Sequence, residues 1–253
     1  QLSLHAADAV VGPLPMTDGT GSAAGMNHAI AAQLSLRAPL GAGLQGSFAA
    51  YARRTHHAID FGMVNQRFTG DDPCHATAGA LVYRDIDSRA VGVEAMIRRE
   101  LGHAVTGWLS YSLGKVDRDL GFVQLPGDFD QRHTLSATAQ WQRGRWRFGA
   151  SGQLHTGRPV PYPLFATCSD GFLTSSTSAD ALRRLPTTGR IDLRAERALS
   201  VGGRPGRLFF ELQNATFLPE PLGYRVDGFG AGQRVVEDTL LLPLPLVGLE
   251  VVL

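Results

Sequence analysis

Three sets of residues have side chains that could do chemistry. His56, His57 and Asp60 carry imidazole and carboxylate groups of the kind that suit several transition metals. Adjacent histidines on an extended strand point to opposite faces, so both reach one ion only through a bulge, and the group reads as structural. Ser110, Ser112 and His133 are the residue types of a nucleophilic site, which needs a Ser or Cys beside a positioned His and an acid. Nothing in their spacing supplies the third group, and His133 reads as ordering a loop junction. Cys74 and Cys168 are far apart and lack CxxC or His-partner spacing, so neither a zinc site nor a disulfide framework is indicated. One bond between the two cysteines stays open in an oxidising compartment. The reading is a non-enzyme with no metal and no cofactor. What remains is a ladder of charge, Arg190, Asp192, Arg194 and Glu196, at every second position.

That spacing of two points to the elements that hold the ladder. Apolar Ile191, Leu193 and Ala195 interleave with it; Leu208, Phe210 and Leu212 alternate with Arg207, Phe209, Glu211 and Gln213. The same alternation marks 134–141 and 30–37, whereas helical spacing is almost absent. Ten strands are predicted, at about 1–6, 28–38, 42–54, 79–99, 103–115, 132–142, 145–156, 189–199, 206–214 and 244–253. Matching apolar faces leaves Arg143-Gly144 as a two-residue turn with Trp141 facing Trp146. It likewise leaves three-residue turns at Pro39-Leu40-Gly41 and Glu100-Leu101-Gly102. Aligning 189–199 with 206–214 sets Arg194 opposite Glu211 and Asp192 opposite Gln213, opposite charges worth about 0.2–1 kcal/mol per pair. The other connections, about 7–27, 55–78, 116–131, 157–188 and 215–243, are long.

Short and long links therefore alternate, which puts the tight turns at one end of the strands and the long loops at the other. A soluble sandwich has no reason to sort its loops in this way. An outer-membrane barrel does, with short periplasmic turns and long extracellular loops. Strand lengths suit a tilted crossing of roughly 9–11 residues. In lipid the apolar face turns outward, so Glu94, Arg190, Asp192, Arg194, Glu196 and Glu211 line a wet lumen. Trp141 and Trp146, beside a turn, sit where an interfacial aromatic girdle belongs.

Composition agrees. The 253 residues are 43% hydrophobic but only 19% charged, below the roughly 25% of ordinary soluble domains, with 30 Gly and 14 Pro. A net charge of +1 and a single lysine, Lys115, give no nucleic-acid footprint. No run of eighteen apolar residues exists; the nearest, Thr239 to Leu253, is interrupted by two prolines, so helical spans are excluded. The chain begins at Gln1 without an initiator Met or an apolar leader, and is expected to be a fragment.

Several short elements resemble a known family, the C-terminal barrel region of TonB-dependent outer-membrane receptors. Tyr83 to Glu94 is similar to the family strand ending Gly-Val-Glu, and is followed by the strand Gly107-Trp108-Leu109-Ser110-Tyr111-Ser112. Phe129-Asp130-Gln131-Arg132-His133 matches its FDQRH element, and Thr156-Gly157-Arg158-Pro159 its TG-x-P. Leu185-Pro186 with Arg190-Ile191-Asp192-Leu193-Arg194 resembles LP…R-x-D-x-R, Leu212-Gln213-Asn214 stands where v-x-N occurs, and Pro243 to Leu253 resembles the closing P-x-P-x-x-G strand. Leu253 stands where family barrels usually end in Phe.

The resemblance implies that residues 1–253 are the C-terminal portion of a 22-stranded antiparallel transmembrane β-barrel whose plug domain, TonB box and upstream strands lie elsewhere. It implies energised uptake of a scarce nutrient such as a siderophore across the bacterial outer membrane. The expected partners are outer-membrane lipid, the plug, the TonB complex through the N-terminal region, and a small-molecule ligand of unknown identity. Ligand contacts are expected in the long loops, at Asp71, Asp72, Phe165, Phe172, Arg183 and Arg184. Three alternatives stand beside this reading: a complete ten-stranded outer-membrane channel, an outer-membrane hydrolase such as a lipase, and a soluble adhesive sandwich.

Overall fold

A computed structural model of the chain describes residues 2–11, 27–60, 84–99, 104–121, 123–167, 173–228 and 232–251. Fifteen strands are present among them, and every pairing is antiparallel. Ten form one sheet, in chain order. They are β1 (Leu2–Val11), β2 (Asn27–Gly41), β3 (Leu44–Asp60), β4 (Arg84–Arg99), β5 (Val105–Asp119), β7 (His133–Arg143), β8 (Trp146–His155), β11 (Thr188–Val201), β12 (Arg204–Gln213) and β15 (Leu244–Val251). The short β6 (Gln124–Pro126) pairs with the end of β5. Ribbons β9 (Pro159–Thr167) with β10 (Leu173–Arg184), and β13 (Glu220–Asp227) with β14 (Arg234–Leu240), stand off the sheet. Strands of 15, 17, 16 and 15 residues for β2 to β5 exceed the roughly 9–11 residues that a tilted bilayer crossing needs.

The long links thus contain structure that alternation did not predict. β9 carries Pro159, Pro161 and Pro163, each without a backbone donor; such a strand survives in a two-stranded ribbon that needs donors on one side only. Three hairpin registers differ from expectation by whole steps of two, while Arg194 lies opposite Glu211 on β11–β12 as expected. Trp141 pairs with Phe148 and Arg143 with Trp146, so the turn is Gly144-Arg145 rather than Arg143-Gly144. Gly144 has φ +60°, the left-handed first position of a type II′ turn. The β2–β3 turn is Ala42-Gly43, both at positive φ, with a bulge at Pro39/Gly41 in place of a three-residue loop. For β4–β5, Arg99 lies opposite Gly107 instead of His103, and residues 100–103 of the expected turn lie outside the described residues. The β11–β12 turn is Gly202-Gly203, with φ +59° and +79°.

The sheet has two faces and, among the described residues, no apolar core beneath it. Ile191, Leu193 and Phe210 are 45%, 46% and 48% exposed. On the opposite face the Glu196 and Glu211 side chains are only 12% and 20% exposed. A water-soluble sheet has the reverse order. The buried hydrophobic residues among those described, Ala29, Ile86, Leu125, Val160 and Leu185, are all at or beyond the loop ends of the strands. Among the described residues β1 and β15 each pair on one side only, and no closure of the ten strands on themselves is seen there.

Candidate functional site

The polar face concentrates its charge on β8, β11 and β12. Register sets Arg194 opposite Glu211, and a guanidinium nitrogen lies 2.7 Å from Glu211 Oε2 while Arg194 Nε donates to Glu196 Oε1 at 2.7 Å. Glu211 also accepts from Gln213 Nε2 at 2.9 Å, and Arg147 reaches Glu196 at 3.5 Å. The Arg194 guanidinium lies 4.2 Å from the Phe209 ring centroid. That ring needs Gly248 across the β12–β15 pair, because a Cβ there would run into it. Neighbouring chains of donors and acceptors of this kind fix long side chains that would otherwise wander in water.

Asp192 closes the loop end of the same patch. Its Oδ1 accepts the Asn214 backbone N–H at 2.8 Å, and Arg190 Nε lies 3.6 Å from its other oxygen. Asn214 is buried at φ +52°, a backbone region that Asn tolerates better than most residues, and its side chain donates to the Leu218 carbonyl. The R-x-D-x-R and v-x-N elements are therefore the two halves of one junction. Arg190, Asp192, Arg194, Glu196 and Glu211 are gathered here, whereas Glu94 lies on β4, opposite Ser112 on β5.

A second cluster joins the loops. Asp130, 1% exposed, accepts the Val116 N–H at 2.8 Å through Oδ1 and Arg132 Nε at 2.8 Å through Oδ2, which also accepts from Arg184. Arg184 further donates to the carbonyls of Asp130 at 2.6 Å and Gly157 at 3.2 Å. Burial would raise the Asp130 pKa, but hydrogen bonds from Arg132, the Val116 amide and Arg184 outweigh it and hold the carboxyl below the usual carboxylate range. Gly157 packs so closely on Leu185 that a Cβ would fall on its carbonyl oxygen. Tyr224 on β13 donates to the Arg184 carbonyl at 3.1 Å, and Arg183 lies 5.0 and 5.6 Å from the ring centroids of Tyr162 and Tyr224. The FDQRH, TG-x-P and LP elements meet in one clasp that ties both ribbons to the wall.

Of the other expected residues, Arg183 and Arg184 belong to this clasp, and Phe165 pairs with Ser175 in the β9–β10 ribbon. Asp71, Asp72, Phe172, Cys74 and Cys168 lie outside the described residues. Ser110 and Ser112 alternate onto the polar face, while His133 bonds Tyr111 at 2.7 Å on the apolar one, so the imidazole and these hydroxyls do not converge. His56 Nδ1 pairs with Asp87 at 2.9 Å, and no group of three metal-ligating side chains occurs among the described residues. Sequence reading passed over Asp130, Asn214 and Tyr224. The first two sit inside quoted motifs, and Tyr224 had no signal beyond a long loop.

No protein-family model and no curated protein matches the sequence. Solved structures do. The ferripyoverdine receptor of the outer membrane of Pseudomonas aeruginosa, bound to ferripyoverdine, superposes at a TM-score of 0.57 with 13% identity, over 94% of this chain and 30% of that one. The same organism's FpvA bound to heterologous pyoverdines gives 0.58 and 12%, over 86% and 27%. The unliganded ferric citrate transporter FecA gives 0.56 and 13%, over 90% and 32%. The chain spans about a third of the length of these structures or less. Its fold is that of the barrel region of a TonB-dependent outer-membrane receptor.

Proposed function

We propose that the chain is the C-terminal part of the wall of a TonB-dependent receptor in the bacterial outer membrane, and that the whole protein imports a scarce nutrient such as a ferric siderophore. The observation that carries this reading is the inverted burial, with Leu193 and Phe210 exposed on one face and Glu196 and Glu211 half-buried on the other. Lipid rewards that arrangement and water penalises it. The Arg194–Glu211 ladder then faces a lumen and contacts the plug. Ligand recognition falls to the loops that the Asp130–Arg184 clasp holds, with Asp71, Asp72, Phe165, Phe172, Arg183 and Arg184 as contact residues. The TonB complex supplies the energy through the N-terminal region. Names of the similar proteins point to ferric pyoverdines and ferric citrate as first probes.

The test is uptake of radioiron-labelled ferripyoverdine, ferric citrate and a panel of ferric hydroxamates and catecholates by iron-starved cells with and without the gene. Accumulation of one complex is expected to require the protein and to collapse with a protonophore. Protein-dependent accumulation that survives the protonophore, together with steady conductance of the purified chain in planar bilayers, would instead indicate a passive channel.

A further inference from the structure

The two ends of the wall hold their basic side chains differently. At the loop end Arg132 and Arg184 pair with Asp130, Arg118 with Asp128 and Lys115 with Asp117, while Arg183 rests against the Tyr162 and Tyr224 rings. At the short-turn end Arg143, Arg145, Arg197 and Arg204 have no ion pair among the described residues. Two carboxylates of that end, Glu196 and Glu250, lie on the polar face and are taken by Arg147, Arg194 and Arg207.

Three of these residues form a row on the apolar face. Arg143 pairs with Trp146 across β7–β8, and Trp146 pairs with Arg197 across β8–β11. Strand spacing puts the two arginine backbones about 10 Å apart with the indole between them. The Arg197 guanidinium lies 5.4 Å from the Trp146 ring centroid, an arrangement that orients it. One step toward the middle of the wall, Phe148 stacks with both Trp141 and Trp146 at 5.7 and 5.8 Å, and all three rings are about two-fifths exposed. An apolar shelf thus lies under a cationic rim.

Resting on the wall reading above, we infer that the Arg143–Trp146–Arg197 row binds the headgroup phosphate of an anionic glycerophospholipid in the leaflet at the short-turn end. Charge complementarity identifies the occupant. Guanidinium forks match phosphate oxygens bidentately, indole sits at the glycerol level, and the aromatic shelf meets the upper acyl chains. Unpaired arginines facing lipid are costly, and a phosphodiester is the anion that this depth supplies.

The experiment places the full chain in phosphatidylcholine vesicles that contain a small fraction of brominated phosphatidylglycerol or, separately, brominated phosphatidylcholine, and reads tryptophan quenching. Brominated phosphatidylglycerol is expected to quench at the lower mole fraction, and the Arg143→Gln, Arg197→Gln double variant to lose roughly 20-fold in that preference. A charge-matched control, Arg225→Gln with Arg234→Gln on the far ribbon, is expected to keep it. Equal quenching by both lipids in the parent, or an unchanged preference in the double variant, overturns the inference and leaves the membrane wall standing. Absence of quenching by either lipid overturns both.

Discussion

At the scale of single residues, Asp130 ties three separate parts of the chain together. One buried carboxylate takes hydrogen bonds from a strand amide, from its motif neighbour Arg132 and from Arg184 across 54 positions. Replacing it with Asn is expected to strand two partly exposed guanidiniums. The loss is about 2–4 kcal/mol of local stability, below the value for a fully buried pair because water reclaims part of each charge. Limited proteolysis of the β9–β10 and β13–β14 ribbons at neutral pH checks this, with the strands of the wall remaining resistant. The pH dependence follows from the same pair of states. The folded pKa is lowered, so the ionised form favours the closed clasp. That contribution is complete above the ordinary carboxylate pKa of about 4 and disappears as pH falls through the lower folded value. Ribbon cleavage by an acid-active protease is expected to rise steeply below pH of about 4 in the parent and to be flat in Asp130→Asn. Sequence showed the acid beside Gln-Arg-His but could not show that Arg184 closes on it, because that contact depends on the path of a ribbon whose prolines hide its strands.

At the scale of elements, alternation settled which residues share a face and was silent about register. A slip of two positions returns every side chain to its own side of the sheet, so Trp141 opposite Trp146 and Trp141 opposite Phe148 are equally good by apolar matching. Turn stereochemistry chooses between them: the second needs positive φ at Gly144 alone, as in a type II′ turn, whereas the first would need a type I′ turn with Arg143 as well as Gly144 at positive φ. The β11–β12 register was legible because Gly202-Gly203 fits a type I′ turn and the charges agree with it. Two substitutions test whether turns set register. Gly144→Ala is expected to lower stability by about 1 kcal/mol, because nothing crowds a Cβ there and only the backbone conformation resists. Ala42→Gly, at φ +51°, is expected to be neutral or to raise it by up to about 1 kcal/mol. Urea midpoints of the protein in lipid vesicles give both values, and equal losses from the two changes would show that the turns follow register instead of choosing it.

For the whole molecule, the loop-sorting that began as a count of link lengths becomes a statement about which end meets which compartment. Turns Ala42-Gly43, Gly144-Arg145 and Gly202-Gly203 share one end of the wall, and the Asp130–Arg184 clasp with both ribbons shares the other. If the apolar face meets lipid, these ends are separated by the hydrocarbon thickness, and a polar reagent that stays outside the cell reaches one of them only. Single cysteines in a Cys74→Ser, Cys168→Ser background make this measurable: Leu218→Cys beyond β12, half-exposed, and Gly203→Cys in the β11–β12 turn. In intact cells a membrane-impermeant maleimide is expected to label the first within minutes and to leave the second unmodified until the outer membrane is permeabilised. Equal labelling of both before permeabilisation would mean that water bathes the two ends alike. The exposed Leu193 and Phe210 would then require some cover other than a bilayer, and the sorted turns would lose the physical reason that lipid gives them.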